Sequence, residues 1–232
     1  MTRADVDLVD RIRRAIAAAG DPDRAQQQQA YMRSSMPYRG VTAPQLRAVL
    51  RPLLDDSAAG LATRETWVDT VLELWDHATH REERYAATAL TGHRRYRPWQ
   101  DAAALDLYRH QVVTGAWWDH VDEIASQRVG PILRADPTAV APVLRRWAGD
   151  DDLWVRRAAI LSQLASGSEL DVDLLRDCIE PSLEDTDFFA RKAIGWALRQ
   201  HARTDPAWVR EHVEALGDRL SPLSRREALK HL

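Results

Sequence analysis

Residues 115–125 read GAWWDHVDEIA, which sets two adjacent tryptophans, Trp117 and Trp118, directly before three acids, Asp119, Asp122 and Glu123. An indole attracts positive charge through its π face, and a carboxylate adds a Coulomb attraction. Each is worth about 1–2 kcal/mol once desolvated. A further indole, Trp196, stands in IGWALR, and four arginines and a lysine (Arg156, Arg157, Arg191, Arg199 and Lys192) lie near it or in the preceding motif. Two indoles and one carboxylate, Asp122, form a box for a cation, and the basic residues suit an anion such as a phosphate. That combination points to a ligand with a flat cationic part and an anionic backbone. The plainer reading makes Trp118 and Trp196 large core residues and pairs Asp122 with a nearby arginine.

The rest of the chain has to position these groups. Its 232 residues, 45% of them apolar, are enough for one large domain with a substantial core, and we expect a single domain over residues 1–232. Few glycines and prolines, few β-branched residues and abundant Ala, Leu, Arg and Glu favour an all-α fold. Nine tryptophans against two phenylalanines is more than a helical core needs, so some indoles are expected to face a ligand. The formal charge is -3, so a nucleic-acid partner requires the arginines to gather on one face. The single cysteine, Cys178, excludes an internal disulfide and a cysteine zinc cluster and fits a reducing cytosol. No apolar run approaches the roughly 20 residues of a membrane span, and the first 20 residues read as an amphipathic helix closed by Gly20 rather than a signal peptide.

An Arg-x-Ala motif recurs at Arg84, Arg156 and Arg191. Counting in steps extends the series to Arg47, His120 and Arg225, with intervals of 37, 36, 36, 35 and 34 residues. A unit of about 36 residues holds two helices and two turns, and turn signals such as RYRPW, RADPTAVAPV, ASGSELD and RTDPAW separate the motifs. Alanines 86, 87, 158, 159 and 193 suit close helix contacts. The expected architecture is an α-α superhelix, a curved solenoid of about six HEAT-like helical hairpins with a concave face. The run of four glutamines at 26–29 reads as a short polar helix. In this alignment Asp122 falls where other repeats carry Ala86, Ala158 and Ala193, and Trp196 falls opposite Ala89, Ala125 and Leu161. A carboxylate at a packing position is costly unless it faces a cleft or a cation.

The stretches YMRSSMPYRGV, WWDHVDEIA, DLWVRRAAILSQL, DFFARKAIGWALRQHARTDPAWV and SPLSRREALKHL resemble the AlkD-type bacterial DNA alkylation-repair glycosylases, which are built of HEAT-like repeats. The similarity runs in order from Tyr31 to the C-terminus, departing at Met36, where the family commonly has an aromatic. The resemblance implies excision of N3- and N7-alkylated purines from double-stranded DNA without base flipping. It assigns the catalytic acid to Asp122, sugar and backbone contacts to Trp118 and Trp196, and an active-site and backbone contact to Arg157. Tyr31 and Arg199 are implied to line the DNA groove, and Arg156, Arg191 and Lys192 are read with them as DNA-binding cations. An alkylated purine is already cationic and leaves without a general acid, so the chemistry required is stabilisation of an oxocarbenium-like sugar. A carboxylate beside C1′ opposes that charge and orients water. No cofactor, metal or membrane is called for, and the protein is expected to be monomeric and cytoplasmic, with the DNA.

The main alternative is a non-catalytic HEAT-like repeat protein that binds DNA structures or a protein partner. A metallohydrolase built on His77, His80 and His93 has an i, i+3 histidine pair but no converging acids. Trp117 reads as core, Asp119 and Glu123 as solvated helix charges. PYRG at 37–40 reads as a turn, and Arg225, Arg226 and Lys230 face either DNA or solvent.

Overall fold

A computed structural model describes residues 4–56 and 60–232. Among them run fourteen α-helices and no strand, the expected all-α class. They form two compact units, residues 1–99 and 100–232.

The first unit contains α1 (Val6–Ala18), α2 (Pro22–Met32), α3 (Ala43–Asp55), α4 (Arg64–Asp76) and α5 (Arg81–Thr91). Their starts follow local chemistry. Asp5, Asp21, Thr42 and Thr63 each accept a backbone N–H of the first turn, and Thr42 forms a reciprocal capping box with Gln45. Leu8, Val9, Ile12 and Ile16 make one buried stripe of α1, which packs against α3, α4 and α5. Trp67 and Trp75 of α4 are fully buried, and Trp99 lies 5.8 Å from Trp67 and stacks on Tyr96 at 5.2 Å. Trp67 and Trp75 are core, and the half-buried Trp99 covers Trp67. The PYRG turn is held from below, because the buried Glu82 carboxylate accepts the N–H groups of Arg39, Gly40 and Val41 at 2.9–3.1 Å. The glutamine run lies on α2, as a polar helix.

The second unit holds α6 (Leu105–Gly115), α7 (Trp118–Ile124), α8 (Gly130–Ala135), α9 (Pro137–Ala148), α10 (Leu153–Leu161), α11 (Val172–Ile179), α12 (Phe188–His201), α13 (Pro206–Leu216) and α14 (Pro222–Ala228). Aspartate caps followed by proline start α9 and α13. Helix α10 packs against α7, α9 and α12, and α12 packs against α14. Helices α7 and α8 are one continuous rod joined by a π turn over Ala125–Val129. Pro131 follows after Gly130; it lacks an N–H and crowds the preceding turn, and the wider π turn absorbs both. Gly130 lets the end of α10 approach, since a Cβ there would lie 2.4 Å from the Ser162 carbonyl oxygen.

The recurring arginine has a structural task. Arg84 donates to the Trp75 carbonyl at 3.4 Å, Arg156 to the Asp150 and Asp151 carbonyls at 2.9 Å, and Arg191 to the Asp185 carbonyl at 2.7 Å. Arg156 and Arg191 reach back to clamp the backbone just before their own helices, and Arg84 reaches the last turn of the preceding α4. The alanines that follow (86, 87, 158, 159 and 193) are buried between helices, as their size suggested.

Candidate active site

Asp122 sits on α7 and Arg157 on the neighbouring α10, and their side chains meet in a bidentate pair. Arg157 Nε donates to Oδ1 at 2.7 Å and Nη2 to Oδ2 at 2.9 Å, while Nη1 donates to the Phe189 carbonyl of α12 at 2.6 Å. The planar guanidinium matches both oxygens of a carboxylate, so the contact fixes the orientation of Asp122 as well as its charge. The Arg157 side chain is 4% exposed and that of Asp122 14%. Arg157 is therefore an internal strut among three helices. Burial pushes the Asp122 carboxyl above its ordinary value, the hydrogen bonds and charge of Arg157 pull it back, and Asp119 adds to the upward push.

Aromatic rings enclose the strut. Trp117 lies 5.9 Å from Trp154 and 5.4 Å from Phe189, Trp154 lies 5.0 Å from Phe189, and Phe188 packs edge-on to Phe189 at 5.4 Å. The Arg157 guanidinium stands 5.9 Å over the Phe189 ring. Trp117, half-buried like Trp118, packs against these rings, and Phe188 is exposed. The pair at 188–189 was the overlooked signal, two aromatics opening the helix that carries IGWALR.

The other expected residues are distributed as follows. Trp118, half-buried, lies one turn before Asp122 on the same face of α7. Trp196, also half-buried, lies on α12 two turns beyond Phe189. Lys192 and Arg199 flank Trp196 on that face of α12, and both bind Glu227 of α14. Arg156 adds an ion pair with Asp185 at 2.6 Å to its backbone clamp, and Arg191 carries the clamp described above. Tyr31, in the first unit, is 80% exposed. The structure joins Asp122 to Arg157 and aligns Trp118 with Asp122. Trp196 stands on a different helix, reached through Phe189 and Arg157.

The repeat alignment needs a one-residue correction at α7. The extended residues that start the four comparable helices are His80, Trp117, Asp152 and Asp187. Counted from them, the fifth residues are Tyr85, Asp122, Arg157 and Lys192. Asp122 therefore occupies the position of these polar side chains and not that of the buried alanines. The supposed cost of a carboxylate at an alanine site disappears.

The histidines of the first unit each meet an acid of their own: His77 with Glu73, His80 with Glu83 and His93 with Asp55. Among the described residues no three His, Cys, Asp or Glu side chains are grouped to hold a metal ion. Among the same residues no helix is long and apolar enough to cross a membrane.

A model of the DNA alkylation repair enzyme family matches residues 12–232. The chain is similar to the solved structure of a predicted DNA alkylation repair enzyme from Enterococcus faecalis, at 30% identity and a TM-score of 0.82. That similarity covers 92% of this chain and 96% of the other. Comparison with curated proteins gives no match.

Proposed function

Given that this chain belongs to the DNA alkylation repair enzyme family, we propose that it is a DNA glycosylase that hydrolyses the N-glycosidic bond of N3- and N7-alkylated purines in duplex DNA, without flipping the base. The observation that carries this reading is the Asp122–Arg157 pair: a carboxylate largely removed from water, with both oxygens held in one plane. Structural pairs share that geometry, so the reading also leans on Trp118 one turn away on the same face and on the family.

In this mechanism the cationic purine departs with the electron pair of the C1′–N bond and becomes neutral. Positive charge passes to the sugar, where Asp122 and the π faces of Trp118 and Trp196 oppose it. Each carboxylate oxygen keeps a second lone-pair direction beyond Arg157, and one of these orients the water that adds to C1′. The proton lost by that water passes to the carboxylate or to solvent. Arg157 fixes Asp122 and reaches DNA only through it. Lys192, Arg199 and Tyr31 contact the duplex, whereas Arg156 and Arg191, already clamping loops, are weaker candidates for direct contact. No cofactor or metal takes part. The protein acts as a monomer in the cytoplasm with its substrate, and a single domain over residues 1–232 is supported by the family match to residues 12–232.

The alternative is a non-catalytic binder of DNA structures or of a protein partner. It gains from the same pair, because a carboxylate fully engaged by arginine can be structural. Incubating the purified protein with methylated duplex and separating the released bases decides between them. Free N7-methylguanine and N3-methyladenine support the glycosylase, and duplex binding with no released base supports the binder.

A further inference from the structure

The C-terminal helix α14 carries Glu227, an acid to which neither the sequence pattern nor the proposed mechanism gives a role. Its carboxylate lies between two cations of α12, receiving Lys192 Nζ on Oε1 at 2.7 Å and Arg199 Nη1 on Oε2. Lys192, Trp196 and Arg199 are spaced i, i+4 and i+7, so they form one stripe along α12 with the indole in the middle. The acid side chain is 11% exposed, against 36% for the lysine and 23% for the arginine. Glu227 therefore sits beneath, and the cations stand nearer the solvent on either side of Trp196.

We infer that Glu227 is a positioning residue for the DNA-facing stripe of α12, holding Lys192 and Arg199 in register on both sides of Trp196. This rests on the glycosylase reading above. Charge alone argues against an affinity role, since the carboxylate lowers the stripe from two positive charges to one and weakens its attraction for phosphate. The gain is order. Lys and Arg are the side chains with the most rotamer freedom, and a common buried acceptor restricts both before DNA arrives. The neighbouring contacts are built around this acceptor. A Cβ on Gly195 would lie 2.5 Å from Glu227 Cβ, so glycine there sets the close approach of α14. Ser224 Oγ also donates to the Arg191 carbonyl at 2.8 Å, tying α14 to α12 a second time.

The test compares wild type with Glu227→Gln, which keeps the shape and removes the charge. Two quantities are measured: single-turnover release of N7-methylguanine at saturating protein, and Kd for unmodified duplex. The inference predicts release slowed about tenfold, as misplacement of binding groups does, with duplex affinity unchanged or tighter. In a Lys192→Met/Arg199→Met background the same change should slow release by less than about twofold, because the acid acts through those two cations. Glu227→Asp, which keeps the charge but not the reach, should slow release as Gln does, and it replaces Gln if that variant does not fold. Unchanged release in both variants would overturn the inference. So would a parallel loss of duplex affinity, or an equal slowing in the double-methionine background. A wild-type protein that releases no base is a different result, and it removes the glycosylase reading itself.

Discussion

Arg157 and Asp122 lie on adjacent helices and 35 residues apart, yet share two parallel hydrogen bonds of 2.7 and 2.9 Å, with the third edge of the guanidinium on the Phe189 carbonyl. One side chain thereby links α7, α10 and α12 at the point where the catalytic carboxylate is proposed to act. Arg157→Lys retains the charge but cannot form the fork. Base release from methylated duplex should fall by about 100-fold, because the carboxylate is no longer held in orientation. Arg157→Met should in addition lower stability by about 3 kcal/mol in denaturant unfolding, since it leaves a mostly buried carboxylate unpaired.

The pH dependence has a definite sign. Burial first, opposed by Arg157, leaves the Asp122 carboxyl above its ordinary value. In the proposed mechanism the ionised form is the active one, so the rate of release should rise with pH through a midpoint above that of an exposed carboxylate. Arg157→Met removes the opposing influence and should move that midpoint higher still. For stability, the folded state binds the proton more tightly than the unfolded chain. Stability therefore falls as pH rises from the unfolded to the folded midpoint, and Asp122→Asn should remove that slope.

Glu227 behaves in the opposite sense. The Lys192 hydrogen bond first, with the Lys192 and Arg199 charges, holds its carboxyl below the ordinary value against the effect of burial. Its stabilising contribution is present above the unfolded-state midpoint and is lost as pH falls through the folded one. Acid unfolding of wild type and Glu227→Gln should therefore converge at low pH and diverge above it.

The two tryptophans of WWD should separate cleanly. Trp117 packs against Trp154 and Phe189, and truncation to Ala should destabilise the protein by about 3 kcal/mol, read as a lower Tm. Trp118 makes its proposed contact with substrate, so Trp118→Ala should reduce base release with a smaller change in Tm. If the two effects are reversed, the assignment of the indoles is wrong.

A glycine inside a helix is normally improved by alanine, by up to about 1 kcal/mol. Gly195→Ala should do the reverse, because the new methyl would meet Glu227 Cβ at 2.5 Å and the Ser224 carbonyl oxygen at 2.8 Å. A fall in Tm and slower base release are expected together.

Much of this was legible in the chain because it is local. Helix starts announced themselves through Asp-Pro pairs at 21–22, 136–137 and 205–206, and Ala-Ala pairs marked tight helix contacts. Asp122 stands out in the sequence through its company, WWD. What the sequence hid was phase. Helix starts at residues 80, 117, 152 and 187 lie 37, 35 and 35 apart, while counting between motif residues gives 36, 36 and 35. Val121 occupies the clamp-arginine position of that repeat, four residues after Trp117, so no arginine marks its phase. The partnership of Asp122 with Arg157, and of Lys192 and Arg199 with Glu227, depends on how helices distant in sequence face one another. Composition and spacing do not carry that information.

The most direct test is the Asp122→Asn substitution, which keeps size and removes charge. Single-turnover release of N7-methylguanine from methylated duplex should drop by about a thousandfold or more, since the negative charge opposing the sugar cation is gone, while Kd for the same duplex stays within about threefold of wild type. Release by the asparagine variant at the wild-type rate would contradict the account.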